Sequence, residues 1–224
     1  MLFLDVGANI GYYSLVAAQL VGPAGAVHAF EPSSGIRAKL EDNLRLNGLT
    51  NVQVHGEAVS DRRGEVTFYE SSWELNQGIS SLLPGDSRSI VTTVTSTTLD
   101  DLTAQLGGRA IDLIKMDIEG AEPFAIQGGQ RLFSGPSAPN LIFEAADLAP
   151  LERLLVPLGY QIRCIHYTLE NGLELPPTDS PVRSLFENYE APNYFAAKDP
   201  AVFDAALKRS NERRPRLLRL LGRI

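Results

Sequence analysis

Cysteine, histidine and long apolar runs are scarce in this 224-residue chain, and each scarcity excludes a kind of structure. The single cysteine, Cys164, excludes a disulfide framework within the chain, and three scattered histidines give no zinc-ligand spacing. No apolar run reaches the roughly 18 residues of a membrane-spanning helix, and no basic segment precedes the first apolar run. We therefore expect a cytoplasmic protein without a resident metal ion or a transmembrane segment.

Charge is unevenly divided along the chain, whose net charge is −7. Residues 208–224 hold seven basic residues and one acid, whereas the rest hold 13 basic and 26 acidic ones. An acidic body repels nucleic-acid backbones, so we expect no nucleic-acid partner. The tail is either a solvated end, which we favour, or a helix that contacts a membrane surface or a partner. We divide the chain into one domain over 1–200 and a basic C-terminal tail over 201–224.

Strand and helix patterns alternate along most of the chain, which predicts an α/β fold with a mostly parallel, doubly wound sheet. An opening strand precedes Asp5, and residues 168–192 are predicted to be a long loop. The other predicted strands are 26–30, 52–55, 111–116, 140–143, 161–165 and 193–197. The predicted helices are 13–21, 35–46, 122–132 and 148–158.

Residues 64–98 interrupt this alternation. Three β-rich segments, 66–69, 79–83 and 90–94, follow one another with turns between them and no helical spacing. This pattern predicts an antiparallel β excursion at an edge of the sheet.

A glycine-rich turn joins the opening strand to the first helix between Asp5 and Ser14. Such a turn after a buried strand is typical of a nucleotide-type ligand site. The dinucleotide fingerprint has glycines where this chain has Asn9 and Tyr12, so a pyrophosphate would be crowded. Asn9 suits a ligand without phosphates, and the amides of the helix start favour a carboxylate. S-adenosylmethionine fits, with Asp5 ordering the turn or facing the ammonium group of the ligand.

Acidic and small residues follow the ends of the predicted strands, where open α/β sheets bind ligands. Glu31 follows the glycine turn by about 20 residues, the spacing of a carboxylate that accepts both hydroxyls of a ribose. The alternative is a carboxylate that stabilises the next helix through its dipole. The candidate ligand-binding residues at these strand ends are Asp5, Gly7, Asn9, Glu31, Ala58, Val59, Ser60, Asp117 and Glu144.

A dense run of charged residues follows the strand predicted over 111–116. Lys115, Asp117 and Glu119 share one side of an extended segment, so we expect them to project together. Charges beside an apolar strand need partners, which favours a polar pocket for the cofactor ammonium and the acceptor. A salt-bridged strand end, with Glu122 in the next helix, is the alternative. The carboxylates leave a metal-dependent variant open, although Lys115 among them argues against it.

These motifs resemble the FkbM family of S-adenosylmethionine-dependent methyltransferases. The resemblance spans residues 2 to about 145 and is carried by LDVGANIGY at 4–12, FEP at 30–32, AVSD at 58–61, TLDDL at 98–102 and IKMDIEGAE at 114–122. It implies a Rossmann-like methyltransferase fold with an antiparallel last strand. The cofactor-binding residues that it implies are Gly7, Asn9 and Gly11 for the methionine part, Glu31 with Pro32 for the ribose, and Ala58 and Val59 for the surroundings of the adenine.

The resemblance also implies an activity, the O-methylation of a hydroxyl on a sugar, glycan or natural product. Methyl transfer from a sulfonium is an in-line displacement, so holding the acceptor oxygen behind the methyl group does much of the catalysis. A base assists when the acceptor is a hydroxyl. We expect Asp117 and Lys115 in the catalytic site, with Glu119 or Glu144 as the base.

Two other function classes stay open. A non-catalytic cofactor-binding or assembly protein would keep the same fold, and an NAD-dependent oxidoreductase is disfavoured by Asn9 and Tyr12. FkbM proteins usually carry helical residues before the first strand, where this sequence opens, so we expect a wetter sheet face unless the tail or another subunit covers it. The residues that could form an aromatic acceptor wall are Phe68, Tyr69, Trp73, Tyr189 and Tyr194, although core packing is commoner.

Overall fold

The computed structural model describes residues 1–71, 80–85, 88, 90–168, 172–179 and 191–210. The helices are α1 (Tyr12–Val21), α2 (Ser34–Leu46), α3 (Leu99–Gln105), α4 (Glu122–Gln127), α5 (Gln130–Ser134) and α6 (Ala149–Leu155). Residues 201–210 are also helical. Within these described ranges, no helix has the length and apolar composition needed to cross a membrane.

The strands confirm the predicted α/β alternation. They are β1 (Leu2–Val6), β2 (Ala26–Phe30), β3 (Val52–His55), β4 (Ala58–Val59), β5 (Gly64–Glu70), β6 (Ile90–Thr97), β7 (Leu113–Met116), β8 (Asn140–Glu144), β9 (Gln161–Cys164), β10 (His166–Thr168), β11 (Gly172–Glu174) and β12 (Asn193–Ala197).

Seven strands form the central sheet in the order β3-β2-β1-β7-β8-β12-β9. The first five of these pair in parallel, and β12 lies antiparallel between β8 and β9. The chain runs from β1 to β2 on one side and later returns to β7 on the other, so the strand order reverses between β1 and β7. Ligands bind open α/β sheets at such a crevice. The predicted Rossmann-like sheet with an antiparallel last strand is confirmed.

The two faces of this sheet are covered differently. One face, which carries Leu4, Ile114 and Leu141, packs against α3 to α6 in a single cluster of 23 buried residues. We call it the packed face. Alternate strand residues point the opposite way, and Phe3 on that side packs with α1, while Ala29 packs with α2, in clusters of only four buried residues each. We call this side the loop face.

The β excursion forms a sheet of its own, in the order β4-β6-β5. β5 and β6 pair antiparallel, as predicted, whereas β4 pairs with β6 in parallel. The strand predicted over 79–83 is wrong where it is described, because Ser81 makes only an isolated bridge with Tyr69. Residue 79 lies outside the described residues.

Several predicted boundaries are also wrong. The helix predicted over 122–132 is two helices, which end and begin at the adjacent Gly128 and Gly129. The helix predicted over 148–158 ends at Leu155 and continues as a 3-10 turn, Val156–Leu158. The loop predicted over 168–192 contains β11, which pairs with β10, and residues 169–171 and 180–190 lie outside the described part.

The predicted tail divides at residue 210. Its described part is helical and packs on the loop face, where the ring of Phe203 meets the ring of Phe195 on β12 at a centroid distance of 5.2 Å. Residues 211–224, which carry most of the basic side chains and the predicted membrane or partner contact, lie outside the described residues.

Candidate active site

The glycine-rich turn between β1 and α1, which we call the cofactor loop (residues 7–11), depends on left-handed backbone. The φ angles of Gly7, Asn9 and Gly11 are 78°, 51° and 94°. Asparagine tolerates this conformation better than most residues with a Cβ. A Cβ on Gly7 would lie 2.0 Å from the backbone oxygen of Asp117. The glycine therefore allows the ends of β1 and β7 to approach each other closely.

The amides of the cofactor loop already bond within the protein. The bonds run from Gly7 and Ala8 to the oxygen of Phe30 (3.1 and 2.9 Å), from Asn9 to Oε2 of Glu31 (3.0 Å), from Ile10 to Oδ1 of Asn9 (2.7 Å) and from Gly11 to the oxygen of Ala8 (2.9 Å). The first amides of a helix have no intrahelical partner. An anionic group would therefore be held by the first turn of α1 rather than by the loop itself.

Glu31 ties the cofactor loop to the start of α2. Its side chain is buried, with Oε2 accepting from the Asn9 amide and Oε1 from the Ser33 amide at 2.9 Å. Burial raises the pKa of Glu31 to about 7, although both amide bonds favour the charged form. Each carboxylate oxygen can accept a second hydrogen bond, so this side chain could still receive the ribose hydroxyls while it holds the loop.

A buried polar cluster lies behind the loop, on the loop face of the sheet. Asp5 is fully buried, and its Oδ2 accepts from the Ser14 hydroxyl at 2.6 Å. Nζ of Lys115 donates to the oxygen of Gly7 at 2.9 Å and lies 3.5 Å from Asp5 Oδ1 and 3.6 Å from Asp117 Oδ2. Burial raises the pKa of Asp5 against the opposing effect of Lys115. Lys115 thus connects the loop, Asp5 and Asp117.

A cavity of about 210 Å³ opens at the crevice between β1 and β7. Most of the sequence-predicted residues line it: Gly7, Asn9, Glu31, Pro32, Ala58, Val59, Lys115 and Asp117. Asp5 and Gly11 support it from behind. Gly11 packs so closely that an added Cβ would lie 2.3 Å from Cδ1 of Leu40 on α2. Of the predicted cofactor contacts, these two serve the loop and not the cavity wall.

Residues of the β excursion close one side of this first cavity. Phe68, Ser81 and Leu82 line it. The Ser81 hydroxyl lies 3.1 Å from the backbone oxygens of both Ile118 and Glu119, which act as acceptors. The excursion is therefore fastened to the turn that follows β7.

Glu119 lines a second cavity with Asp117, whereas Lys115 lines the first, so the prediction that all three side chains project together is wrong. The extended backbone ends at Met116, and Glu119 is left-handed, with a φ of 59°. Its Oε2 lies 3.4 Å from Nη2 of Arg88. Burial, the largest cause, raises the pKa of the Glu119 carboxyl. The predicted base candidate thus also holds the excursion in place.

A second cavity, of about 400 Å³, lies beside the first and is lined by carboxylates. Asp117 lines both cavities and is partly exposed. The acidic residues of the second cavity are Asp117, Glu119, Glu122, Glu144 and Asp147. Within the described ranges, no group of three or more His, Cys, Asp or Glu side chains is arranged to hold a metal ion.

The aromatic residues at these cavities differ from the predicted wall. Phe68 lines the first cavity, whereas Tyr194 stacks on Phe143 in the packed face, and Trp73 and Tyr189 lie outside the described residues. Tyr12 and Tyr13 line the first cavity, and the sequence interpretation did not assign them a contact. Their position in the sequence could have indicated this contact, since they are the first residues of the helix that directly follows the loop.

Comparisons with known proteins identify the family of this chain. Residues 5–164 match the methyltransferase FkbM domain family. The 2-O-methyltransferase NoeI of Sinorhizobium fredii is 30% identical over 142 residues, or 57% of this chain and 56% of NoeI. The AMB antimetabolite synthetase AmbE of Pseudomonas aeruginosa is 32% identical over 159 residues, or 56% of this chain and 7% of AmbE.

A solved structure, methyltransferase FkbM from Methylobacillus flagellatus KT, superposes with a TM-score of 0.58 at 20% identity. The aligned part covers 87% of this chain and 43% of that one. The chain thus spans about half of NoeI and less than half of the solved structure. Because the family match takes in most of its residues, from β1 to β9, the chain belongs to the FkbM methyltransferase family.

Proposed function

We propose that this protein is an S-adenosylmethionine-dependent methyltransferase that methylates a hydroxyl oxygen of a sugar, glycan or natural product. One observation carries the proposal: Asp117 stands between a cavity bordered by the cofactor loop and a second cavity rich in carboxylates. A transferase needs two adjoining compartments, one for each substrate. Membership of the FkbM family and similarity to a 2-O-methyltransferase support the same activity.

The residues of the first cavity fit the cofactor. We assign the first turn of α1 to the methionine carboxylate and Asn9 to neighbouring polar groups. The carboxylate of Glu31 suits the ribose hydroxyls, and the buried side chains of Ala58 and Val59 suit the adenine. When bound, the cofactor supplies a methyl group activated on a sulfonium.

The residues around Asp117 would hold the acceptor and take its proton. Asp117 faces both cavities and is kept in place by Lys115, so we assign it to the acceptor hydroxyl. Glu119 and Glu144 line the second cavity and are the candidate bases. Burial raises the pKa of Glu119, which makes its carboxylate a stronger base.

Ligand binding tests the cofactor assignment. We expect S-adenosylmethionine and S-adenosylhomocysteine to raise the melting temperature, since saturation at about 100 times Kd adds about 2.7 kcal/mol. A shift with NAD alone would identify an oxidoreductase and overturn the proposal. No shift with any of the three would favour an assembly protein.

Methyl transfer tests the catalytic assignment. With labelled cofactor and a panel of glycans and polyketides, we expect labelled product in a mass spectrum. Asp117→Asn should keep S-adenosylhomocysteine binding and lose activity by about 100-fold, the scale of the loss when the acceptor is misplaced. Binding without transfer to any acceptor would identify a non-catalytic cofactor-binding protein, and undiminished activity in the variant would remove Asp117 from the mechanism.

A further inference from the structure

Two tyrosines at the start of α1 are exposed although they border the first cavity. The exposed fractions of Tyr12 and Tyr13 are 69% and 51%, and Ile10 beside them is 47% exposed. Single exposed apolar residues are common on protein surfaces, but a group of three at a cavity mouth is typical of a binding site. The helix they open, YYSLVAAQLV, carries no charged residue.

The two rings form an ordered pair. Their centroids are 5.2 Å apart, and their planes meet at 86°, an edge-to-face arrangement. Nζ of Lys115 lies 5.1 Å from the centroid of the Tyr13 ring. Because Lys115 also bonds to Gly7 and pairs with Asp117, it keeps Tyr13 close to the acceptor carboxylate. The pair is thus held in position before any acceptor arrives.

The chemistry around this pair is suited to one kind of molecule. An aromatic ring carries negative charge density on its face, which attracts the weakly positive C–H hydrogens on one side of a sugar ring. The carboxylate of Asp117 can accept hydrogen bonds from hydroxyls.

We propose that Tyr12 and Tyr13 are the stacking platform for a pyranose ring of the acceptor, with the reacting hydroxyl directed towards Asp117. The inference rests on the proposed function and gives it a definite acceptor-binding surface. The alternative occupant of the platform is the cofactor itself, because Tyr12 and Tyr13 line the first cavity and are not among the described residues that line the second. If the acceptor occupies the platform, glycoside affinity depends on the two tyrosine rings. If the cofactor occupies it, the affinity for S-adenosylhomocysteine depends on them.

Saturation-transfer difference NMR on the protein loaded with S-adenosylhomocysteine distinguishes them. The probes are methyl α-D-glucopyranoside, methyl α-L-fucopyranoside and methyl N-acetyl-β-D-glucosaminide. The variants are Tyr12→Leu, Tyr13→Leu and the conservative Tyr12→Phe and Tyr13→Phe. Leu20→Ala is the control, because Leu20 is 70% exposed on the same helix and does not line the cavity.

We expect saturation of ring C–H protons in at least one glycoside and about fivefold or more weaker binding in each leucine variant, since an aromatic contact contributes about 1 kcal/mol. The phenylalanine variants and the control should bind within about threefold of the parent. The affinity for S-adenosylhomocysteine, measured by calorimetry, should stay within about twofold in every variant.

Three results would overturn the proposal: no glycoside bound by the parent protein, glycoside binding unchanged in both leucine variants, or cofactor affinity lost together with the rings. The last result would assign the tyrosines to the cofactor. Failure of the proposed function has a different signature, since the parent protein would then bind no S-adenosylhomocysteine. The platform can still be tested in that case, because glycoside binding is measurable without the cofactor.

Discussion

The packed face and the loop face of the central sheet share the same strands but hold different residues. Apolar side chains from every strand of the central sheet but β3, and from four helices, fill the packed face. On the loop face, two paired positions of the neighbouring strands β1 and β7 face α1, and they hold Asp5 and Lys115. Burying charges is costly unless they are paired, so this choice does not maximise stability. It places a fixed network directly behind the cofactor loop.

The two faces therefore serve different purposes. The packed face supplies most of the hydrophobic stabilisation, while the loop face holds the loop, Asp117 and the tyrosine pair in one arrangement. Substitutions on the two faces should therefore separate stability from ligand binding.

The largest expected effect is on stability, from Phe133→Ala on the packed face. Phe133 is fully buried in the 23-residue cluster and lines neither cavity. We expect a loss of about 3–5 kcal/mol in the free energy of unfolding, measured by urea denaturation. Cofactor affinity at a temperature where the variant is folded should be unchanged. For Leu20→Ala we expect a loss within about 0.5 kcal/mol in the free energy of unfolding. A loss as large as that of Phe133→Ala would contradict the difference between the two faces.

A somewhat smaller loss should follow Lys115→Met on the loop face, together with a loss of binding. Removing one partner of a buried pair costs about 3–5 kcal/mol, and we expect the lower end because Asp5 can take up a proton. S-adenosylhomocysteine should bind at least about tenfold more weakly, since Gly7 loses its anchor.

The double variant Asp5→Asn/Lys115→Met is the control for this cluster. It removes both charges, so its stability should recover towards that of the parent protein, whereas its binding should not. Full binding by Lys115→Met would mean that the network has no role in the site.

The smallest expected effect is a pH dependence of cofactor affinity through Glu31, whose pKa is raised to about 7. Ribose hydroxyls bind the carboxylate form, so affinity for S-adenosylhomocysteine should weaken about tenfold from pH 8 to pH 6. The fold itself should respond in the opposite sense, because the folded state takes up a proton as the pH falls below about 7 and is stabilised by it. Calorimetry over this range with Glu31→Gln as the control, whose affinity should not vary, tests the assignment.

Local pattern predicted the elements that meet at the site better than it predicted their contacts. The β1, α1 and β2 segments have short-range signals, such as the glycine turn, and their positions agree within one or two residues. The break between α4 and α5 had a local signal that the sequence interpretation missed, the adjacent Gly128 and Gly129. The pairing of Glu119 with Arg88 could not be predicted, because it depends on how the excursion folds back.

Residue type predicted which residues cluster at the cavity, but not which of them line its wall and which are buried behind it. Glu31 and Asp117 reach the cavity because they follow parallel strands at the same edge of the sheet. Asp5 ends its strand at that edge too, yet its side chain points into the loop face and bonds to Ser14. Strand alternation places Asp5 on the same side of β1 as Phe3, and the helical phase of α1 turns Ser14 inward to meet it.

The internal hydrogen bonds of the cofactor loop have a kinetic consequence. A loop whose amides are already satisfied need not rearrange when its ligand enters, so little conformational entropy is lost on binding. Association with S-adenosylhomocysteine should then be a single step whose observed rate rises linearly with ligand concentration, without the plateau that a slow loop closure would impose.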